Sequence, residues 1–161
     1  MSNKIPAALN PVVEAIMAVA AEFEASEGFL PSGDNRWVLD LDQACDEDVL
    51  HAAFVLDSDA PLLAVYVLLR MPDNDRRRDA LAKGMTRANY GLLPGCFELD
   101  FDTGEARYRS VLALTTLKIT ARDVAQLLSD ALLTAKAYGA ALRSIVGSGA
   151  DPIRAIDELE G

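Results

Sequence analysis

Residues 49–72 read "VLHAAFVLDSDAPLLAVYVLLRMP" and form two strand-like runs on either side of a short polar turn. The first run, residues 49–57, alternates along the chain, which is typical of a β-strand. Its two faces are predicted to carry Leu50, Ala52, Phe54 and Leu56 on one side and His51, Ala53 and Val55 on the other. The turn at residues 57–61 is so short that the two strands must run antiparallel.

The second run, residues 62–69, is apolar on both sides. Such a run is typical of a central strand that is covered on both faces. A helix of the same chain or a second copy of the chain can supply the second cover. We interpret alternate positions of this strand as a partner-binding surface, namely Leu63, Val65, Val67 and Leu69.

A helix and one more strand are predicted upstream. The helix covers residues 10–28, where apolar side chains recur at helical spacing, with Asn10 as N-cap, Pro11 in the first turn and Gly28 at the end. The strand "RWVLDLD", residues 36–42, alternates in the same way as the first run. Its apolar face is predicted to carry Trp37, Leu39 and Leu41.

A second helix is predicted downstream, over residues 72–91, with Asp73 or Asn74 as its cap and Gly91 at its end. Its inward side chains are predicted to be Leu81, Met85 and Ala88. A third helix begins after Thr120.

In the third helix, Thr120 and Asp123 form an approximate capping box. An apolar stripe follows at helical spacing: Val124, Leu127, Ala131, Ala135, Tyr138, Leu142 and Ile145. The helix is predicted to stop at "GSGA", residues 147–150. A short amphipathic helix then begins behind Asp151 and Pro152.

The stretch "CFELDFDTGEARYRS", residues 96–110, resembles a calcium loop in its acidic residues, but the glycine and glutamate of such a loop are missing from their required positions. The flanks alternate as strands, and a hairpin must align like faces. A four-residue loop over 101–104 meets this condition, because it sets Leu99 opposite Ala106. We therefore predict a hairpin with Gly104 in the left-handed conformation, and no metal.

These elements predict one α+β domain over residues 1–161. Its antiparallel sheet has about five strands with packed helices, in the order helix, three strands, helix, two strands, helix and a short C-terminal helix. The chain is long enough to bury about 70% of its unfolded surface. No apolar run approaches the roughly 20 residues of a membrane span. Cys45 and Cys96 are far apart and are interpreted as free thiols, so we expect a cytoplasmic protein.

The net charge of −10 lies entirely in the first sixty residues. This segment contains two basic side chains, Lys4 and Arg36, and twelve carboxylates. Residues 61–161 carry thirteen basic and thirteen acidic side chains. A field of this sign repels nucleic acid and anionic lipid and favours basic partners, although it is also what a solubilising surface needs.

One span could be read as an active or metal site. It runs from Asp40 to His51 and concentrates acidic side chains with the only histidine: Asp40, Asp42, Cys45, Asp46, Glu47, Asp48 and His51. It lacks a second histidine, a recognised ligand spacing and a partner nucleophile, which favours a solvated loop. No catalytic residue, cofactor or metal is predicted. An enzyme that uses this loop is kept as the alternative function.

Four arginines suggest a third possible function, which is nucleic-acid binding. Arg76, Arg77, Arg78 and Arg87 could contact the phosphates of a nucleic acid. Asp73, Asp75 and Asp79 surround the first three, however, so the local charge is near zero. This interpretation requires an arginine patch free of carboxylates, and we do not predict a nucleic-acid or membrane partner.

Residues 81–142 resemble the YbjN family of bacterial proteins. The features that carry the resemblance are Asn89, "GCFELD", the "DTGE" turn, "ARYRSVLAL", and "ITARDVAQLL" leading into a long helix that ends near Tyr138. These motifs are structural and not catalytic, and residues 1–60 match only in pattern.

The resemblance implies the fold of type III secretion chaperones and a non-enzymatic protein-binding module, chaperone-like or regulatory, described for the family as a possible sensory transduction regulator. It also implies a homodimer that binds another protein through an apolar groove or a strand edge. The resemblance carries over no catalytic residue.

Overall fold

The computed structural model describes residues 4–23, 25, 27–41, 46–73, 75–115 and 118–161. Within these ranges the helices are α1 (Asn10–Ala20), α2 (Arg78–Gly91), α3 (Ala121–Gly147) and α4 (Pro152–Glu160). The strands are β1 (Leu30–Pro31), β2 (Arg36–Leu41), β3 (Val49–Asp57), β4 (Leu62–Leu69), β5 (Gly95–Leu99) and β6 (Ala106–Ala113). Single 3₁₀ turns at Ala7–Leu9, Ala21–Phe23 and Asp75–Arg77 precede or follow helices.

All strand pairs in the described chain are antiparallel, in the order β1-β2-β3-β4-β6-β5. The predicted α+β class and the predicted order of helices and strands are confirmed. The strand count differs by one, because Leu30 and Pro31 add a short edge strand to β2. Two residues are too few for an alternating pattern, and Pro31 fits only an edge because it has no N–H to donate.

One face of the sheet packs on the helices. The shared core contains Ile16 of α1, Phe54 of β3, Leu81 of α2, Leu142 of α3 and Ile156 of α4. Helix α3 lies along β4 and β6, and α2 packs on β5. Burial of this face supplies most of the stabilisation, at roughly 25 cal/mol per Å² of apolar surface removed from water.

The predicted partner-binding side chains lie in this core. Leu63, Val65 and Val67 are fully buried and Leu69 is 3% exposed, all on the helix side of β4. A surface role for these four residues therefore does not fit the structure. Both faces of β4 are apolar, and the pattern alone does not say which of them the helices cover.

A second correction concerns Leu50, which was predicted to face the same side as Ala52. The pairing of β3 with β4 shifts between Val49 and His51, which is a β-bulge. A bulge places an extra residue in one strand and turns the neighbouring side chains. Leu50 is accordingly 45% exposed, whereas Ala52 is fully buried.

Three predicted helix ends also differ. Asn10 is already helical and follows the 3₁₀ turn that ends at Leu9, so it is not the N-cap. Helix α1 stops at Ala20, eight residues before Gly28. Helix α2 begins at Arg78 without a side-chain cap, which excludes Asp73 in that role. The alternative cap, Asn74, lies outside the described residues.

Other local predictions are confirmed. Thr120 and Asp123 form the reciprocal capping box at the start of α3, and the Asp151 side chain caps α4. The β5–β6 hairpin sets Leu99 opposite Ala106, as the four-residue loop requires. Gly104 has φ +79°, the left-handed conformation that glycine adopts without strain.

The acidic side chain at the start of this hairpin closes the turn. The Asp100 carboxylate accepts hydrogen bonds from the backbone N–H groups of Asp102 (2.8 Å) and Thr103 (3.2 Å). The N–H groups of Thr103 and Asp102 hold the pKa of Asp100 below its usual range. Asp100 is thus part of a turn, as predicted.

Candidate protein-binding face

The face of the sheet opposite the helices is called the open face here. Its side chains alternate with the core positions and come from β2, β3, β4 and β6: Arg36, Val38, Asp40, His51, Ala53, Val55, Asp57, Leu62, Ala64, Tyr66, Leu68, Arg107, Arg109, Val111 and Ala113. None of these side chains belongs to the core that the described helices form. The fold therefore leaves one broad sheet face without a helical layer in the described chain.

An apolar row crosses the open face. Cross-strand pairing aligns Leu30, Val38, Val55, Ala64 and Val111 from β1 to β6. The ends of the row are accessible, since Leu30 is 59% and Val111 39% exposed. The small side chains Val55 and Ala64 at its centre are buried, at 9% and 2% exposed. An apolar row with accessible ends is a candidate interaction surface.

Charged side chains flank the apolar row. The next row aligns Asp40, Ala53, Tyr66, Arg109 and Cys96. In it, the Arg109 Nη2 group lies 3.8 Å from the Cys96 Sγ atom. The open face therefore has a carboxylate near one end, on β2, and a guanidinium near the other, on β6.

The third row contains Arg107 beside Glu98, whose carboxylate also reaches Arg109 of the row before it. Glu98 accepts from Arg107 (2.9 Å) and lies 2.7 Å from Arg109 Nε. The Arg107 guanidinium stacks over the Tyr66 ring, 4.5 Å from its centroid. A cation above an aromatic ring is stabilised electrostatically and holds both side chains in place. The polar part of the open face is consequently ordered by contacts within the chain.

The predicted Asp40–His51 site is only partly assembled. Asp40 Oδ1 lies 3.0 Å from His51 Nε2, with 39% and 41% of these side chains exposed. Asp46 and Asp48 point elsewhere, to Lys136 and Arg143 of α3. Glu47 is exposed, and the remaining members of the cluster, Asp42 and Cys45, lie outside the described residues. In the described chain no three His, Cys, Asp or Glu side chains are grouped as metal ligands would be.

The acidic loop instead attaches the β2–β3 connection to helix α3. Asp46 lies 2.6 Å from Lys136 Nζ and also accepts from the N–H groups of Asp48 and Val49. The hydrogen bond from Lys136 lowers the pKa of Asp46 to about 2. A carboxylate that is ionised and fully paired in this way orients a loop, and it is a poor general base at neutral pH.

Three of the four arginines of the nucleic-acid interpretation are held by contacts within the chain, and the fourth, Arg76, is exposed. Arg77 donates to the backbone carbonyls of Ile145 and Ala150. Arg78 binds the hairpin carbonyls and Asp75, and Arg87 pairs with Asp157 and Glu160 of α4. The condition of a patch without carboxylates is therefore not met for Arg78 and Arg87, and these contacts join helices and loops.

Both ends of the sheet are protected against strand addition. At the β5 edge, Asn89 of α2 accepts from the Phe97 N–H at 2.7 Å and donates to the Phe97 carbonyl at 3.0 Å. The side-chain amide thus takes the place that a neighbouring strand would occupy. At the other edge, β1 is two residues long and ends in Pro31. Short edge strands, proline and covered edges all prevent edge-to-edge pairing.

Two cavities lie mostly outside the open face, although its Leu68 side chain lines the first of them. One, of about 360 Å³, is bounded by Leu50, Arg78 and Gly104 at the end of the sheet. The other, of about 380 Å³, lies between α1 and α3 and is lined by Phe23 and Leu132. Neither cavity includes Asp40 or His51, so the pair lies on an exposed surface outside both.

Sequence reasoning located β4 correctly, but the four positions that it selected are buried under the helices. Side-chain size does not identify the open face, because the large Tyr66 and Leu68 lie on it and the small Ala52 lies in the core. Asn89 was noted only as part of a family motif, and its bonds to Phe97 now give it a structural role.

No protein-family model matches this chain, and no curated protein matches it significantly. The resemblance to the YbjN family therefore stays a prediction from the residues quoted above. Within the residues that the structure describes, no helix is long and apolar enough to span a membrane.

Proposed function

We propose that this chain is a non-enzymatic protein-binding module and that its partner binds on the open face. The observation that carries the proposal is the apolar row from Leu30 to Val111, which no described helix covers. Transfer of such a row from water into a protein interface is favourable, at roughly 25 cal/mol per Å². The flanking Asp40 and Arg109 side chains can fix the orientation of the partner.

The sheet face is a better binding surface than a sheet edge. Strand addition needs a row of free backbone N–H and C=O groups. Asn89 occupies those groups at Phe97, and Pro31 interrupts them at the opposite edge. We therefore favour side-chain recognition on the open face over the strand-edge mode that was predicted alongside an apolar groove.

The alternative, an enzyme that uses Asp40 and His51, has less support. General acid–base catalysis needs titratable groups that converge on a substrate in a concave, partly dry site. Asp40 and His51 are each about 40% exposed on a sheet surface. Asp46 and Asp48 form salt bridges with Lys136 and Arg143 of α3. A protein-binding role does not require titratable groups to converge on one site.

The class of binding module follows from the resemblance to the YbjN family, which supports a chaperone-like or regulatory role. A single-domain protein that recognises another protein by a preformed face suits either role. We place it in the cytoplasm, where the free thiol of Cys96 stays reduced.

Site-specific photocrosslinking in the source organism tests the proposal. A photoreactive phenylalanine analogue at Val111, which is 39% exposed, should crosslink to one protein in a fixed ratio. The matched control is the same analogue at Leu133, a 64% exposed residue of α3. Val38→Arg, introduced at a half-buried position of the apolar row, should abolish the crosslink at Val111. Equal crosslinking with and without Val38→Arg would contradict the proposal.

A further inference from the structure

The cavity of about 360 Å³ at the end of the sheet, called the sheet-end cavity here, has an apolar floor. Four buried core side chains form this floor: Leu69 of β4, Leu81 of α2, Ala106 of β6 and Val146 of α3. The exposed Leu50 side chain, beside the bulge in β3, adds an apolar wall. An apolar lining and a volume of roughly 300–1,000 Å³ are both typical of small-molecule sites.

Arg78 holds two sides of the sheet-end cavity together. Its Nη1 group donates to the carbonyl oxygens of Phe101 (2.7 Å) and Asp102 (3.2 Å), which joins α2 to the β5–β6 hairpin. Its Nη2 group donates to Asp75 Oδ1 at 2.5 Å. Gly104 lets the hairpin come this close, because a Cβ atom there would lie 3.0 Å from Arg78 Nε. Contacts within the chain therefore form the cavity before any ligand binds.

The rim of the sheet-end cavity is acidic. Asp73, Asp75 and Glu105 line it together with a single cationic side chain, Arg78. Three of the five N–H groups of that guanidinium already donate within the chain. Glu105 is only loosely paired, at 3.8 Å from Arg107, and the described residues offer Asp73 no hydrogen-bond or ion-pair partner. A cleft with this excess of carboxylates attracts cations and repels anions.

The lining also favours one kind of cation. Among the described residues that line the sheet-end cavity none is aromatic, so it lacks the rings on which quaternary ammonium ions bind. A primary ammonium has three N–H donors, and carboxylates accept strong hydrogen bonds from such groups. An aliphatic chain suits the floor, because a polar group placed there would lose its water without gaining a partner.

We propose that the sheet-end cavity binds a small aliphatic primary amine. Its ammonium group lies at the rim beside Asp73, Asp75 and Glu105, and its chain lies on the apolar floor. The proposal goes beyond the protein-binding role of the open face and does not rest on it. Leu68 is the one described side chain that the cavity shares with that face.

The amine is a free small molecule and not the lysine side chain of a partner protein. A lysine would bring its own backbone N–H and C=O groups to the rim, where they need partners. The nearest hairpin carbonyls, those of Phe101 and Asp102, already accept from Arg78. A free amine has no such groups to satisfy.

Titration of the wild-type protein with hexylammonium is the first measurement, by isothermal titration calorimetry. A dissociation constant of about 0.1–1 mM is expected for a ligand of this size. Hexanoate and 1-hexanol keep the chain but reverse or remove the charge, and each should bind about ten-fold more weakly or worse. Methylammonium keeps the charge without the long chain and should also bind at least about ten-fold more weakly.

The amide chemical shifts of the protein locate the bound hexylammonium. Shift changes should centre on Leu50, Leu81 and Gly104 around the sheet-end cavity. Changes centred on Val19 and Leu132, in the cavity between α1 and α3, would overturn the proposal. Absence of binding up to about 10 mM hexylammonium, or equal binding of hexanoate, would also overturn it.

Two substitutions at exposed positions of the sheet-end cavity test the residues. Asp73→Lys and Leu50→Arg each place a cation at the ligand site, and each should weaken hexylammonium binding about ten-fold or more. The matched controls are Glu14→Lys on α1 and Leu133→Arg on α3, which change exposed side chains outside this cavity. They should change the dissociation constant less than about two-fold, because salt screens distant charges. Unchanged binding in both cavity variants, with circular dichroism showing that they are folded, would contradict the proposal.

A lysine derivative distinguishes the two sources of an ammonium group. Nα-acetyl-lysine N-methylamide carries the same aliphatic ammonium on a peptide backbone. It should bind the sheet-end cavity more weakly than hexylammonium does. Binding as tight as that of hexylammonium, or tighter, would overturn the assignment to a free amine and would indicate the lysine of a partner protein.

Discussion

Asn89 and Phe97 are joined by two hydrogen bonds, in which the side-chain amide of one residue pairs with the backbone N–H and C=O of the other, at 2.7 and 3.0 Å. The contact fixes the end of α2 against β5 and satisfies the outward backbone groups at the centre of that edge strand. An edge closed in this way does not pair with another strand. The open face is then the broad surface available for association.

Replacement of Asn89 by alanine should destabilise the protein by about 1–3 kcal/mol, since two partly buried backbone groups lose their partner. Urea unfolding monitored by circular dichroism measures the loss. Gln126→Ala is the matched control, because that exposed side-chain amide bonds Asp130 one turn away and should contribute less than about 0.5 kcal/mol. Equal effects of the two substitutions would show that the Asn89 bonds to Phe97 contribute nothing specific.

Gly95 is predicted to be intolerant of any side chain. A Cβ atom at this position would lie 2.4 Å from the Arg109 carbonyl oxygen and 2.5 Å from the Tyr108 hydroxyl. Gly95→Ala therefore forces β5 away from β6 and should cost about 1–3 kcal/mol. Gly28→Ala is the control, because a Cβ there meets nothing within 4 Å. The midpoint of thermal unfolding should fall for the first variant and stay within about 1 °C of wild type for the second.

Local chemistry made much of the fold predictable. The capping box of Thr120 with Asp123 involves residues three apart, and the register of the β5–β6 hairpin follows from aligning Leu99 with Ala106. Such features depend on neighbours in sequence. They are visible without knowledge of the rest of the chain.

The rest depends on contacts between distant segments. Which face of the doubly apolar β4 is buried depends on where α3 packs, and nothing within residues 62–69 contains that information. The bulge at Leu50 likewise arises from the pairing of β3 with β4. The candidate site was missed for the same reason, because the side chains of the open face become a surface only once the helices occupy the other side.

The assignment of the two faces can be tested by alanine substitution. Val65→Ala removes methyl groups from the fully buried core and should lower the free energy of unfolding by about 2 kcal/mol. The loss combines the hydrophobic free energy of the removed methyl groups with the cost of the cavity that they leave. Val111→Ala, on the open face, should change the free energy of unfolding by no more than about 0.5 kcal/mol. The comparison is made by urea unfolding of both variants at the same protein concentration. The reverse order of effects would mean that the helices cover the other face.

The contact between Asp46 and Lys136 should make the free energy of unfolding depend on pH in the acidic range. The pKa of Asp46 is about 2 when folded, because Lys136 donates to it, and about 3.9 in an unfolded chain. A lowered folded-state pKa contributes stability that is fully present above about pH 5 and is lost as the pH falls towards 2. With about a third of the side chain exposed, screening reduces this contribution to the order of 1 kcal/mol.

Asp46→Asn removes the titrating group and keeps an oxygen that can accept from Asp48 and Val49. Wild type should therefore be more stable than the variant at pH 6, and the difference should shrink steadily between pH 5 and pH 2. Urea unfolding at four or five pH values across this range measures the difference directly. A difference at Asp46 that is independent of pH would mean that its carboxylate does not hold the β2–β3 connection to α3 through charge.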